Sequence, residues 1–278
     1  MRNGPELEER QLPTAEHPHI DVRVDELPHG AVARLTIDNA RRLNALNAAA
    51  MEEFAESLDR LAGDQNLRAV IVTGAGTKSF IVGADITEMA AIADAASAKT
   101  FITRLHRCCD AIRKFPVPVI ARIQGYCFGA GLEIAAACDL RIASEMASFG
   151  MQEVKLGIPS VIEAALLPTL VGWGRAREIL LLGEKFSAAD ALAWGLVERV
   201  APASALDAAV DACLESLLSS RPRAVRLQKR LIRQWEELPL SAAIAAGIDA
   251  FAAAYESDEP GAAMRDFLNA RHRRGDSD

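Results

Sequence analysis

Residues 119–138 run Val119-Ile-Ala-Arg-Ile-Gln124-Gly-Tyr-Cys-Phe-Gly129-Ala-Gly-Leu-Glu133-Ile-Ala-Ala-Ala-Cys138. Residues 119–123 predict a short strand, and the apolar run from Ala130 predicts a helix. A glycine-rich turn therefore joins a strand to a helix and leaves backbone N–H groups unpaired where the helix dipole favours negative charge. Two such groups aimed at one point would form an oxyanion hole. Alternatively, these glycines only allow close packing of the helix.

The remaining sequence alternates strand and helix patterns in its first half. Residues 20–24 and 31–37 predict a hairpin, residues 68–73 and 140–143 short strands, and residues 48–61 and 97–115 amphipathic helices. From residue 163 onward nearly every segment has helical periodicity, over residues 163–170, 175–182, 188–194, 204–219, 224–237, 241–255 and 262–270. The pattern predicts an α/β fold, with a parallel-type core and a helical cap or arm.

Composition narrows the class of protein. The 278 residues are 50% hydrophobic and 25% charged, which is typical of a globular chain. The net charge of −7 disfavours nucleic acid and anionic membranes as partners. The five cysteines lack metal-site or redox spacing, which indicates a reducing compartment. Since residues 1–19 have no apolar signal core and no apolar run is of membrane-spanning length, we expect a cytoplasmic protein.

Several standard catalytic motifs are missing from the sequence. It has no Gly-x-Ser-x-Gly elbow of an α/β-hydrolase. Residues 74–79, Gly-Ala-Gly-Thr-Lys-Ser, lack the lysine spacing of a P-loop and the third glycine of a dinucleotide-binding loop. The five histidines are scattered, without metal-ligand spacing. The sequence therefore predicts chemistry without a metal or a catalytic cysteine.

Two glutamates are candidates for acid and base work. Glu133 lies in the predicted helix among small apolar residues, so we expect partial burial and a raised carboxyl pKa. Glu153 lies in a loop between Gly150 and Gly157. Two carboxylates facing one small site would suit proton transfer on a carbon–carbon double bond. For each glutamate, an ordinary solvated side chain is the alternative.

Eight segments, in order, resemble the enoyl-CoA hydratase/isomerase (crotonase) superfamily between residues 22 and 268. They are residues 43–46 (LNAL), 69–76 (AVIVTGAG), 82–89 (VGADITEM), 118–121 (PVIA), 124–133 (QGYCFGAGLE), 138–144 (CDLRIAS), 149–157 (FGMQEVKLG) and 191–197 (ALAWGLV). The resemblance implies a crotonase-like spiral of β-β-α repeats with a C-terminal helical trimerisation region, assembled as a trimer or a dimer of trimers. We expect a tail at residues 1–18, a spiral core at 19–200, a helical region at 201–270 and a tail at 271–278.

The resemblance also implies the site and its substrate. The substrate would be an acyl-CoA thioester of fatty-acid metabolism, with no separate cofactor, and its carbonyl would bind the N–H groups of Ala84 and Ala130. Alanine at position 130 replaces the family's usual glycine. Glu133 and Glu153 would be the hydratase pair that holds water, and because both are present the resemblance favours hydration of a 2-enoyl-CoA. Coenzyme A would lie along residues Asn44, Ala45, Leu46, Ala84, Asp85, Ile86, Thr87 and Gly129.

One stretch departs from the family pattern. Ser160-Val-Ile-Glu163 replaces a glycine-rich stretch, so we expect these four residues to shape the acyl pocket, with Val161 and Ile162 narrowing it. Glu163 is either a third carboxylate in the site or a structural residue in the first turn of its helix. Two alternatives to hydration stay open. One is a different reaction of the family, double-bond isomerisation or thioester hydrolysis, and the other is a non-catalytic binding protein.

Overall fold

The computed structural model describes residues 19–275, with side chains through residue 269. The strands are β1 His19–Leu27, β2 Gly30–Asp38, β3 Leu67–Gly74, β4 Ser79–Ile81, β5 Val119–Ile123, β6 Tyr126–Phe128, β7 Leu140–Ser144, β8 Ser148–Gly150, β9 Phe186–Ser187 and β10 Arg199–Ala201. The α-helices are α1 Ala48–Leu61, α2 Ile86–Ala90, α3 Ala95–Lys114, α4 Ala130–Ala137, α5 Leu167–Leu182, α6 Ala188–Ala193, α7 Leu206–Ser219, α8 Pro222–Trp235, α9 Leu240–Ala254 and α10 Glu259–Gly275. Short 3-10 turns include Glu153–Leu156 and Ile162–Leu166.

The strands form two sheets, and from β3 to β8 consecutive strands alternate between them. The larger sheet has the order β1-β2-β3-β5-β7-β10, and the smaller has the order β4-β6-β8-β9. In each of three successive units, a strand of the large sheet precedes a short strand of the small one and then helical structure. The large-sheet strands β3, β5 and β7 run parallel, as do β4, β6 and β8. This arrangement confirms the predicted spiral of β-β-α repeats.

Helices cover both faces of the large sheet, which explains its apolar strands. Every residue of β3 is buried, as expected for a parallel strand with both faces covered. On one face Phe54 of α1 and Leu105 of α3 belong to the main core, and on the other Leu206 and Val210 of α7 pack against Ile71. None of the helices described between residues 19 and 275 has the combined length and apolar character of a membrane span.

Several of the described strands were not predicted from the sequence patterns. Strands β4, β6 and β8 have three residues each, too few for a period-two alternation to be distinguished. Strands β9 and β10 lie in the predominantly helical part, in the intervals between the helices predicted at 175–182, 188–194 and 204–219. The predicted helices at 163–170 and 175–182 correspond to the 3-10 turn Ile162–Leu166 and to α5, which is kinked at Gly172 with φ of 76°.

The predicted division after residue 200 is also corrected by the structure. Residues 199–201 form β10, which pairs with β7 in the large sheet, and α7 covers a face of that sheet. The boundary at 200 therefore cuts a strand, and the helices outside the core begin with α8. Helix α10 continues to Gly275, past the predicted end at 270. The predicted tail at residues 1–18 lies outside the described residues, as do residues 276–278.

Candidate active site

Two glycine turns meet at the carboxyl ends of β4 and β6. Gly83 has φ of 129° and Gly129 has φ of 50°, values that favour glycine. The Cα of Gly83 lies 3.9 Å from the position that a Cβ on Gly129 would occupy. The residues that follow these glycines, Ala84 and Ala130, are therefore brought close together although 46 positions separate them in the sequence.

The backbone around Ala84 is fixed by the loop that precedes α1. Leu46 N–H donates to the Gly83 carbonyl at 2.9 Å, and Asp85 N–H donates to the Leu46 carbonyl at 2.7 Å. Ala130 is the first residue of α4, whose initial N–H groups have no partner within the helix. Within the part of the chain that the structure describes, neither Ala84 N–H nor Ala130 N–H donates to a protein group. The two free donors can serve as an oxyanion hole.

Both alanines line a cavity of about 840 Å³. Glu133 and Glu153 line the same cavity, so the structure brings together the four residues predicted to act on the substrate. An apolar wall faces them, formed mainly by Met89, Ile92, Phe101, Ile102 and Leu105. Sequence reasoning missed this wall. The apolar stripe of α3 was its only signal, and that stripe equally indicates core packing.

Glu133 is buried beside the cavity and is 4% exposed. Its Oε1 accepts a hydrogen bond from Ala164 N–H at 3.3 Å. The pKa of the Glu133 carboxyl is raised from 4.5 to about 8, mainly by burial and in addition by the nearby carboxylate of Glu153. Glu133 is therefore mainly protonated at neutral pH, as the sequence-based expectation of a raised pKa requires.

Glu153 begins the turn Glu153–Leu156, directly across from the start of α4. Its Oε2 accepts a hydrogen bond from Ser160 Oγ at 2.9 Å. Its Oε1 lies so close to Gly129 that a Cβ at that position would stand 2.6 Å away. Position 129 therefore needs glycine both for its backbone angle and for the space that Glu153 occupies.

The four predicted acyl-pocket residues separate into two pairs. Ser160 and Val161 line the cavity. Ile162 does not, since its side chain packs against the main core. Glu163 is likewise outside the cavity lining: its buried carboxylate lies 3.0 Å from His106 Nδ1 of α3. The expectation that Ile162 and Glu163 shape the acyl pocket is therefore wrong for their side chains.

The loop at residues 44–46, which was predicted to bind coenzyme A, is more deeply buried than expected. Asn44 is fully buried, and its side-chain amide donates to the carbonyls of Ala75 and Ser79 at 3.0 Å each. Ala45 and Leu46 are buried as well. The Asn44 side chain joins two loops and has no exposed surface for a ligand, so only the backbone of this loop remains for such contact.

The turn that follows Ala84 offers more surface. Asp85 is buried and accepts from Thr87 N–H at 2.8 Å, so its side chain caps α2. It also pairs with Arg42 at 2.9 Å, a cation that sequence reasoning had not placed near the site. Ile86 and Thr87 are exposed, and Ile86 lines the cavity. The Ile86 side chain is therefore available to a ligand that enters the cavity, whereas Thr87 does not line it.

Two free N–H donors and two carboxylates around an apolar cavity define a class of enzyme that binds a carbonyl oxygen and moves protons at nearby carbon atoms. Among the residues described, no cluster of three or more His, Cys, Asp or Glu side chains has the arrangement of a metal site. The sequence matches the enoyl-CoA hydratase/isomerase family over residues 28–274. The chain belongs to this family.

Individual relatives agree with that assignment. The chain is 36% identical over 245 residues to the short-chain-enoyl-CoA hydratase of Clostridium acetobutylicum, covering 87% of this chain and 93% of the relative. It is 33% identical over 241 residues to the crotonyl-CoA hydratase of Syntrophomonas wolfei, covering 86% and 92%. The crystal structure of an enoyl-CoA hydratase from Bacillus anthracis superposes with a TM-score of 0.84 at 32% identity, covering 90% of this chain and 96% of the other.

Proposed function

We propose that the protein adds water across the 2,3 double bond of a 2-enoyl-CoA thioester. The observation that carries this proposal is that Glu133 and Glu153 line one cavity together with the free N–H groups of Ala84 and Ala130. Relatives that are named enoyl-CoA and crotonyl-CoA hydratases support it.

The two N–H groups act on the thioester carbonyl. As oxygen adds at C3, electron density moves through C2 onto the thioester oxygen. The Ala84 and Ala130 N–H groups donate hydrogen bonds to that oxygen and stabilise the charge where it develops. Removing one such donor from an oxyanion hole typically costs about 3 to 4 kcal/mol of transition-state stabilisation. Alanine at position 130 keeps its N–H, so it preserves this function.

The two carboxyl groups transfer the protons. Because they lie close together and Glu133 is buried, the pair holds one proton at neutral pH, leaving one group ionised and one neutral. The ionised group accepts a proton from water while the water oxygen bonds to C3, and the neutral group gives its proton to C2. The product has gained one water, and the pair again holds one proton. These steps use only carboxyl and backbone groups, so we propose that no cofactor is required.

Crotonyl-CoA hydration tests the proposal directly through the loss of conjugated-thioester absorbance. We expect Glu133→Gln and Glu153→Gln to lower the rate by about 10²- to 10⁴-fold, because an amide keeps the shape of the carboxyl but cannot exchange a proton. Both variants should still fold and bind acyl-CoA. If either variant hydrates at nearly the wild-type rate, its assigned role is wrong. Release of free coenzyme A or migration of the double bond by the wild type, without hydration, would favour the alternative reactions.

We also propose that the chain assembles with copies of itself as a trimer or a dimer of trimers. One face of α9 is apolar yet exposed, through Leu240, Ile244, Ile248, Phe251 and Tyr255. Contiguous exposed apolar surface of this kind marks an interaction site. Light scattering after size exclusion should show a trimer or hexamer, and Ile248→Asp should dissociate it. A wild-type monomer would contradict the proposal.

The compartment proposed from the sequence is the cytoplasm. All five cysteines, Cys108, Cys109, Cys127, Cys138 and Cys213, are free and buried. Unpaired thiols are typical of reducing compartments, and this supports the proposal.

A further inference from the structure

One short segment contacts both proposed catalytic carboxylates. Ser160 Oγ donates to Glu153 Oε2 at 2.9 Å, and Ala164 N–H donates to Glu133 Oε1 at 3.3 Å. Residues 160–164, which we call the bridging segment, replace the glycine-rich stretch of the family. A displacement of this segment would move the hydrogen-bond partners of both carboxylates at once.

The bridging segment has a strained backbone. Ile162 has φ of 40°, a conformation that is unfavourable for a β-branched residue. Such a conformation persists only where surrounding contacts hold it. The Val161 side chain does little to restrain this backbone conformation, because it is 39% exposed at the cavity. The Ile162 side chain packs against the main core, and further restraint comes from the residue that follows it.

Glu163 supplies that restraint. It is 4% exposed, and its Oε1 and Oε2 lie 3.0 and 3.3 Å from His106 Nδ1. The Cys109 thiol, on the same side of α3, also acts to lower the pKa of the Glu163 carboxyl. Helix α3 is a firm anchor, because Phe101, Leu105 and three further residues of it are buried in the protein.

Glu163 is also bonded through the backbone to Ala164, whose N–H donates to Glu133. The Ala164 nitrogen is bonded to the Glu163 carbonyl carbon, so both belong to one planar peptide group. Within the 3-10 turn the Ala164 N–H also donates to the Val161 carbonyl at 2.9 Å, so it is shared between that carbonyl and the Glu133 carboxyl at 3.3 Å. The orientation of the peptide decides how well the N–H reaches Glu133. Fixing the Glu163 side chain therefore restricts the direction of the Ala164 N–H.

We propose that His106 is a positioning residue of the hydration site, which holds Glu163 so that the following peptide directs Ala164 N–H at Glu133. This inference rests on the proposed role of Glu133. His106 itself lies outside the cavity lining and is half exposed, so it acts on the reaction only through Glu163.

The test compares His106→Ala, His106→Asn, Glu163→Ala and the double variant His106→Ala/Glu163→Ala. We expect His106→Ala to lower kcat by about 10- to 100-fold with KM nearly unchanged, because a small misplacement of a catalytic group is costly. Asparagine places an amide nitrogen near the position of Nδ1, so His106→Asn should recover most of kcat. The double variant should be no slower than Glu163→Ala. Arg107→Ala, also exposed on α3, is the matched control and should match the wild type.

Two results would overturn the inference in an active enzyme. One is an unchanged kcat in His106→Ala, and the other is a loss from His106→Ala that persists in full in the Glu163→Ala background. If the alanine variants do not fold, His106→Leu, which fills the position without a nitrogen near Nδ1, replaces His106→Ala, and Glu163→Gln replaces Glu163→Ala.

Crystal structures of the variants test the inference independently of turnover. The distance from Ala164 N to Glu133 Oε1 should exceed 3.5 Å in His106→Ala and return to hydrogen-bond length in His106→Asn. An unchanged distance in His106→Ala would refute the inference even if the wild type proved not to hydrate crotonyl-CoA. That failure of hydration would instead contradict the proposed function.

Discussion

Replacing Glu133 with glutamine should stabilise the protein while it abolishes hydration. The Glu133 carboxyl has a pKa of about 8 in the folded chain, against 4.5 for the ordinary group, because it is buried and lies near Glu153. A pKa that folding raises means that the folded state favours the protonated carboxyl. The stability associated with this proton is fully present below pH 4.5 and is lost as the pH rises through 8. A glutamine side chain does not titrate, so it adds no such pH dependence to the stability.

The magnitude follows from the size of the shift. Each pKa unit corresponds to about 1.4 kcal/mol, so the difference between 4.5 and 8 amounts to about 5 kcal/mol once the carboxyl is ionised in both states. At pH 7 the carboxyl is ionised in the unfolded state and mainly protonated in the folded state. The unfolding free energy is then about 3 kcal/mol lower than it would be with a carboxyl that is neutral in both states. We therefore expect Glu133→Gln to exceed the wild type in unfolding free energy by about 3 kcal/mol at pH 7. At pH 9 the gain should approach 5 kcal/mol.

Urea unfolding from pH 5 to pH 9 measures this difference, because titrating groups that do not interact with Glu133 contribute equally to both proteins and cancel. Glu215→Gln, on an exposed position of α7, is the matched control, and its difference from wild type should stay flat. Loss of crotonyl-CoA hydration in the same Glu133→Gln preparation would link the destabilising carboxyl to the chemistry. A difference that does not grow with pH would refute the burial argument for the raised pKa.

Three further substitutions test other parts of the site. Gly129→Ala should lower hydration at least 10-fold, because the new Cβ would stand 2.6 Å from Glu153 Oε1; steady-state kinetics measures this loss, and wild-type kinetics would contradict the geometry. Val161→Gly should shift relative kcat/KM toward longer or bulkier enoyl-CoA chains, by about 1 to 3 kcal/mol of discrimination per methylene; an unchanged chain-length profile would show that Val161 does not limit the pocket. Asn44→Ala should lower the unfolding free energy by about 2 to 4 kcal/mol in urea, because it removes a buried amide that donates to the carbonyls of Ala75 and Ser79 and accepts from Asn39 N–H, whereas the exposed Asn66→Ala should change it little.

The sequence predicted the fold best where a local pattern and its boundaries agree. Helix α1 spans Ala48–Leu61 and β5 spans Val119–Ile123, as predicted, because each combines a clear apolar pattern with a boundary signal. Asn47 caps α1, and the Pro118 ring precedes β5. The strands of the small sheet have no such signal. They are defined by pairing between segments distant in the sequence, so three residues in isolation do not predict them.

The site shows the same division between local and distant causes. The glycine turns and the burial of Glu133 follow from neighbouring residues, and the sequence predicted both. The hydrogen-bond partners of the Asn44 and Glu163 side chains could not be predicted from the local sequence. Their partners lie 31 to 57 positions away, at Ser79 and Ala75 for Asn44 and at His106 for Glu163. A polar residue in a family motif indicates ligand contact only when the fold leaves its side chain unpaired.

The contact with His106 explains how Glu163 can lie buried next to the site. The carboxylates of Glu153 and Glu163 both raise the pKa of Glu133, so an unpaired charge on Glu163 would hold Glu133 protonated still more strongly. A cation in direct contact with Glu133 would do the reverse and leave it ionised, with no proton to give. His106 instead contacts Glu163 from the side of α3, where it acts to lower the pKa of the Glu163 carboxyl against the raising effect of burial. The hydrogen-bond partner of Glu163 is thus kept away from Glu133, the group whose raised pKa the chemistry needs.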